Sequence, residues 1–389
     1  MRYLFCALLL ALPAQADDLP GYLPEFRPRA EAAGIAPATL DAVLPELDWL
    51  ADTVRLDRNQ SEFTRTIWEY LDLAVSEDRV RNGRAALAAN AAALDAIEAR
   101  FGVEKEIVAA IWGLESSFGA FMGDTSTLDA VATLAADGRR RDFFEAQLLA
   151  ALTILEAGDV TADAMRGSWA GAMGHTQFMP SSFLDHAVDF DGDGRRDVWG
   201  DDPVDALAST AAYLAFHGWE TGQPWGMEVT LPEGFDYSEA SSLVTKTPAE
   251  WTALGVQPVA GGTLPSETPI SIRVPAGRAG AAFATWPNFM VLERYNTADA
   301  YVIGVGHLAD RLAGGGPIQS GWPRGDRALG FDERVEMQRL LAAAGFDPEK
   351  FDGLVGPLTL NAIRRWQASE GLVPDGYMPP QMLERLRGG

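Results

Sequence analysis

Trp112-Gly113-Leu114-Glu115-Ser116-Ser117-Phe118-Gly119 closes a stretch, Val103 to Phe118, in which Val103, Ile107, Ile111, Leu114 and Phe118 recur at helical spacing. At about 100° per residue, Glu115 projects between Ile111 and Val108 and beside Trp112, where a packed helix wants an apolar side chain. A carboxylate in that setting resists ionising. Raising its pKa from about 4.3 by about two units needs about 2.7 kcal/mol of differential solvation, which partial burial against an indole can supply. That is how a general acid is made. Taken alone, the same Glu could equally bend back to water or pair with an Arg, so its neighbours decide.

Working outward, Leu19 to Gly218 is mostly helical in period, with the Ala-rich run Ala85 to Ile97, then Phe143 to Leu155 and Asp205 to Phe216. Between about Thr221 and Arg294 the texture turns to short β-branched runs, Met227 to Leu231 and Ile270 to Val274, set apart by Pro and Gly as in a small sheet. Helical signal returns at Ala298 to Leu312. Gly314-Gly315-Gly316-Pro317 opens an aperiodic stretch to Asp326, a linker by composition, and a flexible one of that length reaches about 20 Å. From Phe331 to Leu386 apolar residues again fall at helical spacing, broken at Asp352-Gly353 and Asp375-Gly376, as two or three short helices would be.

The first 16 residues read as a cleavable export signal: Arg2, an apolar stretch from Tyr3 to Leu12, then Pro13-Ala14-Gln15-Ala16. The apolar part is too short for a permanent anchor, so the product is expected in the periplasm without an integral membrane anchor. Cys6, the only cysteine, lies inside that signal, which suits an oxidising compartment. A net charge of −24, from 55 acidic and 31 basic residues, argues against nucleic acid as a partner.

Two further motifs carry chemistry. Gly167-Ser168-Trp169-Ala170-Gly171-Ala172-Met173-Gly174-His175-Thr176-Gln177-Phe178-Met179-Pro180 is too rich in small residues to fill a core and lets a backbone pass close to something, with Ser168, Thr176 and Gln177 offering neutral hydrogen bonds suited to a sugar. A plain Gly-rich connector would look the same on composition. Asp189-Phe190-Asp191-Gly192-Asp193-Gly194 satisfies the first half of a calcium loop, but Gly200 stands where its closing acid should be, leaving Asp201, Asp202 or Asp205 to close it. His175, His186, His217 and His307 have no zinc-pair spacing.

Together Glu115, the Gly-Ala-Met-Gly-x-x-Gln-Phe-Met-Pro run and the Asp loop resemble the lytic murein transglycosylase B family. Ala211-Ala212-Tyr213-Leu214, Trp286-Pro287-Asn288-Phe289, Arg294-Tyr295-Asn296 and Tyr301 extend the resemblance over about Leu19 to Leu312. The tail resembles a three-helix peptidoglycan-binding domain through Gln338, Asp352-Gly353, Trp366-Gln367 and Asp375-Gly376, among others. The resemblance implies a mainly α (α+β) chain: a lysozyme-like helical catalytic domain with a small β region over 17–313, a linker over 314–326 and a separate three-helix domain over 327–389. It implies Glu115 as catalytic acid and base, with Ser168, Met173, Gln177, Tyr213, Tyr295, Asn296 and Tyr301 as substrate-binding positions. It implies a structural calcium site at Asp189, Asp191, Asp193, Arg195 and Asp205, and no cofactor for catalysis.

Most glycosidases need two flanking carboxylates, and Asp124 and Asp129 look like parts of an ordinary turn and helix. The implied reaction dispenses with the second. Glu115 protonates the glycosidic oxygen between N-acetylmuramic acid and N-acetylglucosamine in peptidoglycan strands. It then takes a proton from the muramic acid's primary hydroxyl, whose intramolecular attack leaves a 1,6-anhydro end. A hydrolytic muramidase, a non-catalytic wall-binding protein and a calcium-dependent adhesion module remain as alternatives; protein partners are not legible.

Overall fold

The computed structural model describes residues 18–58 and 65–388. The expected export signal, Cys6 included, lies outside the described residues. The chain is predominantly helical with a minor sheet, as expected, and clusters into two compact units, Met1–Asn59 with Phe121–Ala206 and Gln60–Ala120 with Leu207–Gly389. Among the described residues no helix is long and apolar enough to cross a membrane.

In the first unit, helix Thr127–Asp137 is buried on nearly every side because its sequence is mostly Ala, Val, Leu and Thr, small enough to let neighbours close in. Ser126 caps it by accepting from the Asp129 amide, and Gly138, at φ 82°, ends it and turns the chain into helix Arg141–Ala157. Helix Leu19–Ala32 lays Tyr22, Phe26 and Ala30 inward at i, i+4, i+8 spacing.

The second unit is built on helix Asp299–Leu312, which packs on Lys105–Ser116 and Ile67–Ala74. A glycine on the packed face makes this possible: a Cβ at Gly304 would lie 3.0 Å from Tyr70 Cε1 and 3.4 Å from Leu114 Cδ2. The β-branched runs form an antiparallel four-stranded sheet in the order Gln257–Pro258, Gly226–Thr230, Ala282–Thr285, Ser271–Arg273, with Val229, Trp251, Ile270, Ile272, Ala284 and Trp286 as its core.

Away from the site, the structure differs from the sequence reading in three places. The Ala-rich run is two helices, Glu77–Ala89 and Ala91–Phe101, broken at Asn90, whose side-chain amide takes the Ala86 carbonyl at 2.9 Å. The β region also holds the helices Pro248–Ala253 and Pro287–Tyr295, each opened by Pro in its first turn. The linker is pinned along its length rather than loose. Amides of Gln319 and Ser320 donate to Glu228 at 2.9 and 2.6 Å, Trp322 packs on Trp68, and Arg324 binds both oxygens of Asp72 at 2.7 and 3.0 Å. Composition signals a linker through its glycines and prolines, and does not weigh the few side chains that fasten it.

Three helices, Phe331–Ala343, Pro357–Ser369 and Pro380–Leu386, follow around Met337, Leu341, Ile363, Trp366 and Leu383. Each Asp-Gly break is organised by a buried Gln. Gln338 accepts from Gly353 N and donates to Leu354 O; Gln367 accepts from Gly376 N and donates to Tyr377 O. These amides satisfy turn backbone that packing would otherwise strand.

Candidate active site

Glu115 sits in the last turn of helix Lys105–Ser116, half-buried. Both ends of this helix are tied. At its start Glu104 accepts from Trp219 Nε1 and Gly222 N, both at 2.7 Å. At its end Arg79 donates to the Gly113 carbonyl at 2.9 Å. Beyond it, Ser117 (φ 52°), Phe118 (φ 62°) and Gly119 (φ 84°) are consecutive left-handed residues. Two of them carry a Cβ, a cost that the surroundings must over-determine. They do so by folding the Phe118 ring back onto Gly113 and Gly83, where added Cβ atoms would lie 2.6 and 2.8 Å from Phe118 Cζ. Phe118 thus leaves the helix that periodicity assigned it to and becomes the wedge that stops the helix just after Glu115.

The environment of Glu115 is more polar than the hydrocarbon wall expected from the sequence. The Tyr301 hydroxyl donates to Glu115 Oε1 at 2.5 Å. Burial and the facing carboxylate push the Tyr301 phenol well above its usual range, so it keeps its proton at any working pH. Tyr213 donates to the Arg294 carbonyl at 2.6 Å and meets the Tyr295 ring edge-on at 5.2 Å. Asn296 accepts from the Ala298 amide at 3.0 Å and so shapes the bend between helices Pro287–Tyr295 and Asp299–Leu312. The second unit therefore assembles Glu115, Tyr301, Tyr213, Tyr295 and Asn296 on four helices and one bend.

In the first unit, the Gly-rich run is a set of close approaches. Cβ atoms at Gly167, Gly171 and Gly174 would lie 2.0, 2.4 and 2.1 Å from Ala172 O, Val131 Cγ1 and Val198 O. Ser168 Oγ accepts from the amides of Ala170 and Ala172. Gln177, at φ 54°, donates to Met122 O and Gly174 O, and both side chains remain half-buried. Met173 and Thr176 are fully buried, so their side chains serve the core of this unit. His175 lies 2.7 Å from Gly200 O through Nε2 and is held below its usual pKa by burial, which makes it a structural tie.

Asp189, Asp191 and Asp193 converge with carboxylate oxygens within 4.8 Å of one another. Asp205 is buried beneath the loop, accepting from Phe190 N at 2.7 Å and Asp197 N at 3.0 Å. The Arg195 amide donates to Asp193. The converging side-chain donors are all carboxylates on a Gly-turned loop, which fits a hard cation.

Two neighbours of the site carried no sequence signal. Tyr70 packs on the Tyr301 helix at Gly304, and Arg79 is a half-buried cation capping the Glu115 helix. Neither lies in a motif, since only folding brings residues 70 and 79 to residues 301 and 113.

The Tyr301 helix also carries Asp310, an exposed residue whose carboxylate accepts from Trp225 Nε1 at 3.1 Å and is pushed up to about 7 by the protein atoms crowded around it. An acid whose folded pKa is raised confers stability that is full below the unfolded value near 3.8 and is lost as pH rises to about 7. Asp310→Asn, which can still accept from Trp225, should therefore flatten the fall in Tm between pH 4 and 8 and leave the variant more stable than the parent at pH 8. An unchanged pH profile in thermal melts would contradict this.

Residues 20–310 match the family described as the transglycosylase SLT domain, and residues 332–386 match a peptidoglycan binding domain. The chain belongs to the lytic murein transglycosylase family. Among these lytic murein transglycosylases, the membrane-bound lytic murein transglycosylase B of Escherichia coli (strain K12) is 33% identical over 298 residues, 70% of this chain and 77% of that one. SltB3 of Pseudomonas aeruginosa, solved in complex with NAG-anhNAM-pentapeptide, is 48% identical with a TM-score of 0.91, covering 95% of this chain and 99% of that one. Slt35 of Escherichia coli, solved in complex with calcium, is 29% identical with a TM-score of 0.65 over 76% of this chain and 93% of that one. As a lytic murein transglycosylase, the protein is an enzyme acting on peptidoglycan glycan chains.

Proposed function

We propose that Glu115 alone serves this lytic murein transglycosylase as acid and then base at the bond between N-acetylmuramic acid and N-acetylglucosamine. The observation that carries the assignment is the 2.5 Å hydrogen bond from Tyr301. A fixed donor on one carboxylate oxygen sets the orientation of the group and stabilises the anion that forms once its proton has gone to the leaving oxygen. The substrate's acetamido group meets the positive charge at the anomeric carbon. Glu115, now a base, takes the proton of the muramic acid's primary hydroxyl, which closes onto that carbon and leaves a 1,6-anhydro end. The binding of NAG-anhNAM-pentapeptide and NAG-NAM-pentapeptide by SltB3 supports this course. Ser168, Met173, Gln177, Tyr213, Tyr295 and Asn296 are assigned to saccharide binding, with Met173 acting by holding its loop. Mass spectrometry of digested sacculi tests the reaction: the products should be lighter by one water than those of a muramidase, and reducing-end muropeptides in their place would refute it.

Residues 1–16 are proposed to direct export to the periplasm, leaving a catalytic domain over 17–313, a strap over 314–326 and a peptidoglycan-holding module over 327–389. The module keeps substrate near the catalytic domain. Calcium is proposed at Asp189, Asp191 and Asp193 with the Arg195 carbonyl, and Asp205 closes the loop from within; the calcium complex of Slt35 supports it. An ion in millimolar supply at a site a hundredfold tighter adds about 2.7 kcal/mol to stability. Chelation should accordingly lower Tm by a few degrees, and Asp191→Asn should abolish the difference. Melting curves that coincide with and without chelator would remove the ion from this account.

A further inference from the structure

We propose that Arg273 is a positioning residue for the reaction, clamping the bend that carries Tyr295 and Asn296 at a fixed place relative to the Tyr301 hydroxyl. The inference rests on the assignment of those three residues to the site. Arg273 stands on the edge strand Ser271–Arg273 and is not itself among the saccharide-binding assignments. Its guanidinium reaches both helices that flank the bend. Nη1 binds both carboxylate oxygens of Asp299 at 2.9 and 3.0 Å, and Nη2 lies 3.1 Å from Glu293 Oε1.

The positions of the two acids give the clamp its meaning. Glu293 precedes Tyr295 by two residues on one helix, and Asp299 precedes Tyr301 by two on the next. Three residues, 296–298, join them. One cation therefore holds the last turn of the first helix to the first turn of the second. The guanidinium is itself fixed, 4.1 Å over the Phe289 ring and 3.6 Å from Met290 Sδ, with a side chain only 12% exposed.

Stability alone gives little reason for this arrangement. Arg273 Nε is buried without a partner among the described residues, and a stranded donor of that kind costs about 1–3 kcal/mol. A buried ion pair is commonly matched or bettered by apolar packing of the same volume. Glu293 and Asp299 also face each other, and burial together with that neighbour pushes Glu293 above its usual range. Without Arg273 the two acids repel across the bend and drive its arms apart. A displacement of about 1 Å at reacting groups costs up to about a hundredfold in rate.

The experiment uses the full-length enzyme, measuring kcat and KM on soluble glycan fragments together with Tm. Arg273→Met should lower kcat about tenfold or more with KM changed by less than about threefold, since the groups remain present but out of line. Arg273→Lys, which keeps the charge without the fork, should recover part of the loss. In a Tyr301→Phe background Arg273→Met should cost clearly less than in the parent, because part of its effect runs through the contact of Tyr301 with Glu115. An unchanged kcat in Arg273→Met, or losses that simply multiply in the double variant, overturns the proposal. Should Arg273→Met fail to fold, Arg273→Lys carries the same cycle. If Tyr301→Phe alone leaves activity intact, the site assignment falls instead, so the two failures are told apart.

Discussion

Glu115→Gln should slow the release of anhydro-muropeptides from sacculi by about a thousandfold or more while leaving Tm nearly unchanged. A positioned acid–base group contributes about 10²–10⁴-fold, and here one group serves both the protonation and the deprotonation steps. The amide keeps the size of the carboxylate, and its oxygen can still accept from Tyr301, so the fastening of the Lys105–Ser116 helix by Arg79 and Glu104 is undisturbed. What disappears is the transferable proton. Mass spectrometry over a time course gives the rate and a thermal melt gives the control. A variant that dissolves murein at the parent rate would show that the acid lies elsewhere.

The parts of this site that the sequence made legible are those confined to short segments. Glu115 stood out because a single helix period showed a carboxylate on an apolar face. The Asp loop and the Gly-rich run were legible because backbone sterics demand Gly at fixed places, and Gly167, Gly171 and Gly174 do meet neighbours closer than any Cβ allows. The helical modules and the small sheet followed from the change in period between 3.6 and 2. What escaped was whatever depends on distant chain. The Tyr301–Glu115 bond spans 186 positions, and no local pattern announces that a phenol, rather than hydrocarbon alone, faces the acid. Arg79 and Arg273 look like surface cations in sequence, yet one caps a helix interior to the site and the other joins two helices. The linker was misread as flexible for the same reason, since Glu228 and Asp72, which hold it, lie 91 or more positions away.

Gly306→Ala should destabilise the enzyme by roughly 3 kcal/mol or more, although Gly to Ala inside a helix ordinarily stabilises by about 1 kcal/mol. Gly306 is fully within helix Asp299–Leu312, and a Cβ there would lie 2.1 Å from Trp225 Cδ2 and 2.2 Å from Cε2. The indole has nowhere to go. Its Nε1 donates to Asp310, and its ring lies against Phe289 at 6.4 Å and Phe283 at 6.2 Å. The helix must therefore move, and the helix carries Tyr301 little more than one turn away. Activity should fall along with Tm, through loss of the 2.5 Å contact to Glu115 rather than through loss of any group that touches substrate. Gly316→Ala is the matched control, because no heavy atom lies within 4 Å of its added Cβ and its backbone needs no left-handed conformation. Thermal melts and initial rates on both variants decide the matter: if Gly306→Ala melts with the parent, the close approach of the helix to Trp225 is not what fixes Tyr301 in place.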